Sequence, residues 1–256
     1  MTADGRPPTA GERPMKDDGQ RPTEARAPMP IVVEDVSFTY PSGTHALRGV
    51  SLRVSPGEAV AIVGENGAGK TTLVKHLNGL LKPGTGRVTI GDWDTREHTV
   101  AKMAARVGYV FQNPDDQIVE RTVGDEVAFG PRRLGQPAAE QQANVAAALA
   151  TVGLTEAAKT HPYDLTAPQR KLVTLASVLA MRTPIVIFDE PTTGQDARGV
   201  ALIGDIVDRL KAEGRTVLTI THDIDFCAAH FGRAIVMADG QVLADGPAAD
   251  VLTRAD

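Results

Sequence analysis

Gly64-Glu65-Asn66-Gly67-Ala68-Gly69-Lys70-Thr71 is the stretch on which the reading of this chain turns. It satisfies the pattern G-x-x-x-x-G-K-[ST], and its flanks are what that pattern needs. Residues 59–63, Ala-Val-Ala-Ile-Val, read as a buried strand, and Leu73, Val74, Leu77, Leu80 and Leu81 recur behind the loop at helical spacing. Glycines let the backbone turn its N–H groups toward phosphate oxygens, and the start of the next helix adds the positive end of its dipole. Lys70 then reaches the β- and γ-phosphates and the Thr71 hydroxyl can ligate Mg²⁺. The predicted nucleoside triphosphate site runs from Gly64 to Thr72.

A chain of 256 residues is long enough to bury a full α/β core, and one nucleotide-binding unit is the economical reading. The net charge of −5 supplies no overall basic field of the kind a nucleic-acid partner attracts. Cys227 stands alone, which excludes a disulfide framework within the chain and fits a reducing cytosol. No run is long and apolar enough to span a bilayer, so a membrane role has to come through a partner. Residues 1–30 are rich in Pro, Arg, Asp, Glu and Thr and poor in large apolar side chains. They cannot bury enough surface to offset ordering entropy and read as a disordered tail, or as a regulatory or docking arm. Interleaved acids such as Asp17, Asp18 and Glu24 argue against a transit peptide.

Strands are expected at residues 31–38, 46–54, 88–90 and 107–111, and a mostly helical stretch at 122–181 that includes the alanine-rich segment 140–152. Parallel-strand candidates return at 184–188 and 216–221. Between them an amphipathic helix presents Leu202, Ile203, Ile206, Val207 and Leu210. The implied architecture is an α/β nucleotide core interrupted by a helical insertion.

The apolar strand Ile185-Val186-Ile187-Phe188 ends abruptly in Asp189-Glu190, and ligands of open α/β sheets gather outside the carboxyl ends of the strands. Asp189 is suited to hold Mg²⁺ through water, since a hard cation takes oxygen ligands, and Glu190 is then free to orient or deprotonate an attacking water. The strand at 216–221 delivers His222 to the same rim as a hydrogen-bond partner for the γ-phosphate or that water. Gln112, after the strand at 107–111, carries an amide that can touch Mg²⁺ or water.

The order of Tyr40, the loop 64–71, Gln112, Asp189-Glu190-Pro191, Thr193-Gly194-Gln195-Asp196 and His222 resembles the ATPase subunits of ABC transporters from Ile31 to the C-terminus. The resemblance implies a P-loop NTPase core with an antiparallel β-subdomain and a helical subdomain near residues 113–181. It also implies ATP hydrolysis with Mg²⁺, an aromatic at Tyr40 stacked on adenine, a Gln112 loop joined to a membrane subunit, and Asp196 at the contact of two ATPase subunits closed head-to-tail over two ATPs. Such a protein sits at the cytoplasmic face of the membrane. Val110-Phe111-Gln112-Asn113-Pro114-Asp115-Asp116-Gln117, with Thr122-Val123 and Glu126-Val127-Ala128-Phe129-Gly130-Pro131, looks most like the ATPases of energy-coupling factor importers. These take up vitamins and transition metal ions such as cobalt and nickel, and their partners are a polytopic coupling subunit and a substrate-binding membrane subunit.

One segment departs from that family. Its members carry Leu-Ser-Gly-Gly-Gln at a helix start, where the hydroxyl and glycine amides bind the γ-phosphate held by the opposite subunit; here the segment is Leu165-Thr166-Ala167-Pro168-Gln169. Thr166 keeps a hydroxyl and can cap the helix. Ala167 adds a methyl and Pro168 has no N–H, although proline is at ease in a first helical turn and is expected at its first position. The expectation is a heterodimer whose partner keeps an intact signature; the alternative is a subunit with a mainly structural or regulatory role.

Overall fold

A computed structural model of the chain describes residues 29–253. Its first half runs β1 (Ile31–Thr39), β2 (His45–Val54), β3 (Ala59–Val63), α1 (Lys70–Leu77), β4 (Thr85–Ile90), β5 (Trp93–Asp94), α2 (Val100–Met103), β6 (Val107–Val110) and α3 (Val123–Arg133). The second half continues with α4 (Ala138–Thr151), α5 (Ala167–Met181), β7 (Ile185–Asp189), α6 (Ala197–Ala212), β8 (Thr216–Ile220), α7 (Ile224–His230), β9 (Arg233–Ala238), β10 (Gln241–Pro247) and α8 (Ala248–Leu252).

Two sheets organise these elements. One is antiparallel, in the order β2-β1-β4-β5; the other has the order β10-β9-β3-β8-β7-β6, parallel throughout except for β10 at its edge. Every residue of β3, β7 and β8 is buried, which is why these strands read as unbroken apolar runs: a sheet covered on both faces has no polar side to write into the sequence. Side chains alternate between the two covers. Ala59, Ala61 and Val63 join the cluster that includes the helical middle of the chain, while Val60 and Ile62 join the cluster formed with α1 and the antiparallel sheet. Register does the rest. Ile62 pairs with Ile220 and Ile220 with Asp189, so the ends of three strands far apart in sequence open on one rim.

Several strand ends differ from the sequence reading, β4 starting at Thr85 and β7 running to Asp189, and β9 and β10 are not among the expected strands; three boundaries show a local cause. Helix α1 stops at Leu77: Asn78 caps it, Gly79 takes the left-handed φ of +77° that closes such a helix, and Leu80, read as part of the helix face, is 40% exposed beyond the end with Leu81. Phe111 lies past the end of β6, its N–H donating to Gln117 Oε1 at 3.1 Å instead of to a neighbouring strand. Met29 and Pro30, read as part of the tail, are held by the fold: Met29 is buried, and the Pro30 carbonyl accepts from the Gly91 N–H at 2.8 Å. The remainder of the expected tail, residues 1–28, lies outside the described residues.

Candidate active site

The loop after β3 is shaped by two glycines that could be nothing else. Gly64 has φ +147° and a Cβ there would lie 2.1 Å from the Met237 carbonyl oxygen; Gly69 has φ +96° and its Cβ would lie 2.5 Å from the Ala46 carbonyl oxygen. Both conformation and space exclude a side chain, so backbone walls the cradle that an anion would fill. Gly69 is also the N-cap of α1 and offers no side chain to its free amides, which leaves the positive helix end open. The Lys70 ammonium donates to the carbonyls of Gly64 at 2.7 Å and Glu65 at 2.9 Å, at the centre of the loop. Burial lowers its pKa, while Glu190 and Asp189 work in the opposite direction.

Asp189 closes β7 at 2% exposure. Its Oδ2 accepts from the Tyr109 hydroxyl at 2.6 Å and from Thr71 Oγ1 at 3.2 Å. Burial raises its pKa, and those two hydrogen bonds pull it back toward the ionised form. Glu190 follows with a left-handed φ of +51°; its N–H donates to the Ile220 carbonyl at 2.8 Å, and its Oε2 meets His222 Nδ1 at 2.9 Å and the Thr193 hydroxyl at 3.4 Å. His222, with its side chain 74% exposed, therefore reaches the site through Glu190.

A cleft of about 250 Å³ brings together Tyr40, Asn66, Gly67, Ala68, Gly69, Lys70, Thr71, Thr72, Gln112, Asp189 and Glu190. Gly64 and Glu65 lie behind that lining, holding Lys70. Tyr40 comes from the turn after β1, its hydroxyl 3.1 Å from Thr72 Oγ1 and its ring edge-on to Phe38. Among the described residues no group of three or more His, Cys, Asp or Glu could hold a metal unaided. Thr71 and Asp189 are hard oxygen donors side by side, a set that fits a Mg²⁺ ion whose other positions go to phosphate and water.

Leu165 to Gln169 and Asp196 are elsewhere. Thr166, Pro168, Gln169, Gln195 and Asp196 line a separate open groove of about 750 Å³ that shares no residue with the phosphate cleft. Thr166 is the N-cap of α5 and forms a full capping box: its Oγ1 accepts from the Gln169 N–H at 3.4 Å, and Gln169 Oε1 accepts from the Thr166 N–H at 3.1 Å. The helix begins at Ala167, so Pro168 is its second residue, not its first as expected from sequence. Asp196 caps α6 by accepting from the Gly199 N–H at 2.8 Å.

Two residues at the site went unread in the sequence. Tyr109 sits inside an apolar strand, where its hydroxyl was the only signal that a buried partner must exist. Lys171 sits on α5 in line with Thr174, Leu175 and Val178, all buried; a lysine in an apolar stripe was the available clue.

A phosphate-binding loop facing an Asp-Glu pair at the carboxyl rim of a parallel sheet defines a P-loop nucleotide hydrolase. The chain belongs to the ABC transporter family, whose profile matches residues 47–193, and is an ATP-binding subunit and ATPase of that family. It is 43% identical over 230 residues to an ABC transporter ATP-binding protein of Streptomyces coelicolor, covering 90% of this chain and 87% of that one. It is 41% identical to the energy-coupling factor transporter ATP-binding protein EcfA of Methanothermobacter thermautotrophicus, covering 88% and 73% respectively. Among solved structures it is similar to CbiO1 of Clostridium perfringens, part of the ABC transporter complex CbiONQ, with TM-score 0.78, 33% identity and coverage of 89% and 92%. It is also similar to the ATP-binding cassette MJ0796, solved as a dimer in a post-hydrolysis state with ADP and phosphate, with TM-score 0.79, 27% identity and coverage of 85% and 98%.

Proposed function

We propose that this chain energises import of a small nutrient, a vitamin or transition metal ion, through a membrane complex of the energy-coupling factor type. It would be bound peripherally at the cytoplasmic face through a polytopic coupling subunit, beside a substrate-binding membrane subunit. No helix among the described residues is long and apolar enough to cross a membrane, so attachment falls to a docking surface. The observation that carries the reading is an apolar groove of about 210 Å³ at Phe111 and Gln117, between the nucleotide core and the helices of residues 113–181. Leu80, Val100, Phe111 and Phe129 line it, and Leu80 and Val100 are exposed. The names of EcfA and CbiO1 among the relatives support the same class.

In the proposed mechanism Lys70 and the loop amides hold the triphosphate, Tyr40 faces the base, and Thr71 with Asp189 holds Mg²⁺, with Gln112 at the same cleft. The ion supplies charge neutralisation at the phosphates. Glu190, oriented by His222 and Thr193, positions and deprotonates the attacking water. The chain's own signature groove shares no lining residue with its own cleft, which suits two subunits closing head-to-tail with each serving the other.

That arrangement supports a heterodimer. At the start of α5 the Gln169 amide is spent on Thr166, the Thr166 amide on Gln169, and Pro168 has none. A partner with Leu-Ser-Gly-Gly-Gln would complete this chain's cleft, and only the partner's cleft would face the impaired segment. A mainly structural or regulatory role is the second reading, favoured by the same closed helix start. The test is affinity purification of the full chain with its membrane assembly. Recovery of a second ATPase subunit and a polytopic protein, with substrate uptake dependent on ATP, is expected; a homodimer that hydrolyses ATP with no membrane partner would overturn the reading.

A further inference from the structure

Lys171 lies in the second turn of α5 and is only 6% exposed. An ammonium at that depth must be met by hydrogen-bond acceptors, because an uncompensated buried cation is strongly unfavourable. Its partners are two backbone carbonyls on the catalytic turn, those of Glu190 and, at 3.2 Å, Thr193. Burial lowers the lysine's pKa while Glu190 and Asp189 favour its charged form.

The turn it grips is unusual. Glu190 holds a left-handed conformation without being glycine, and such a residue persists only where its surroundings over-determine it. Here the surroundings are explicit: the Glu190 N–H is fixed on β8 through Ile220, and its carbonyl is fixed on α5 through Lys171. Thr193 closes the ring. Its carbonyl accepts from Lys171 while its hydroxyl donates to Glu190 Oε2 at 3.4 Å, so one ammonium sets both the backbone of Glu190 and the residue that touches its carboxylate.

We propose that Lys171 is a positioning residue for ATP hydrolysis, clamping the turn from Glu190 to Thr193 so that the Glu190 carboxylate is aimed at the attacking water. The inference rests on Glu190 being the group that handles water, as argued under Proposed function. The clamp is also mechanical. Helix α5 begins at the segment facing the signature groove, and the Gln195 side chain donates to the Pro168 carbonyl at 3.2 Å, so movement of this helix start is carried to the catalytic turn from two sides.

The experiment compares the full chain with Lys171→Met, which keeps length and loses all donors, and Lys171→Arg, which keeps charge and donors, in the assembly that gives wild-type turnover. Lys171 does not line the phosphate cleft and meets it only at the Glu190 backbone carbonyl, so Lys171→Met should lower kcat by about 10- to 100-fold, the weight of a misplaced catalytic group, with KM for ATP and nucleotide affinity within about twofold. Lys171→Arg should recover part of the loss. Unchanged kcat in Lys171→Met overturns the proposal, as does a parallel loss of kcat, nucleotide affinity and melting temperature that Lys171→Arg does not relieve. If Lys171→Met fails to fold, Lys171→Gln, which retains an amide donor, decides by the same split of kcat from KM. A Glu190→Gln control separates the two readings: normal turnover there removes the premise, whereas a dead Glu190→Gln beside a fully active Lys171→Met removes only the clamp.

Discussion

Two helix starts in this molecule use the same physics to opposite ends. Helix α1 is capped by Gly69, which offers its amides no side-chain acceptor, and helix α5 is capped by Thr166, which with Gln169 closes a capping box ahead of a proline at the second helical position. A helix N-terminus attracts anions because its first amides are unpaired and its dipole is uncompensated. At α1 that capacity is kept and ringed by Lys70, Thr71 and Asp189; at α5 it is spent locally, leaving the Ala167 N–H as the one amide among residues 166–169 with neither a partner among the described residues nor a proline ring. A cap stabilising a helix and a helix end recognising phosphate therefore compete for the same donors.

The largest effect should come from the α1 side. Glu190→Gln keeps the shape of the cleft and removes the base, so ATP binding should persist while hydrolysis slows by roughly 10²–10⁴-fold, the usual weight of a general base. Binding and turnover are measured side by side in the assembled complex, and near-normal turnover would take Glu190 out of the mechanism.

On the α5 side, Ala167→Gly with Pro168→Gly returns an N–H and removes a methyl where backbone must approach phosphate. In an assembly where this segment faces a competent phosphate cleft, hydrolysis there should rise by about 10²–10³-fold, by analogy with a single missing transition-state donor. Site-resolved ATPase rates check it. Robust turnover of the chain by itself, unaltered by the double substitution, would show that the segment works as written and that the two helix starts do not differ in function.

A smaller effect isolates the cap. Thr166→Ala deletes the acceptor for the Gln169 amide and should cost about 1 kcal/mol of stability, or roughly 2–4 °C in Tm for a domain of this size. Thermal melting of the full chain gives the answer; an unchanged Tm would mean that the capping box contributes nothing and that its amides are available to phosphate after all.

Much of this was legible beforehand. The strand at 59–63 coincides with β3, and the apolar run into Asp189-Glu190 coincides with β7 and the turn after it, because a strand buried on both faces and a sharp polar stop are local signals. Boundaries were less legible where an end is set by one residue's conformation: the Asn78-Gly79 pair ends α1 although Leu80 and Leu81 keep the apolar spacing going. Met29 was read with the tail since its composition is the tail's, yet it is buried in the core shared with the antiparallel sheet.

Residue spacing alone carries the phosphate loop, the acidic pair after a core strand, the family, and the two positions where the signature departs. Folding is needed to bring Lys171, spaced like core, back to Glu190 and Thr193, the Tyr109 hydroxyl to Asp189, and His222 to Glu190. The reason is distance along the chain. Glycine conformations and strand periodicity are dictated by neighbours a few residues away, whereas these contacts join residues 19 to 80 apart and exist only once the register of a parallel sheet has set three strand ends on one rim.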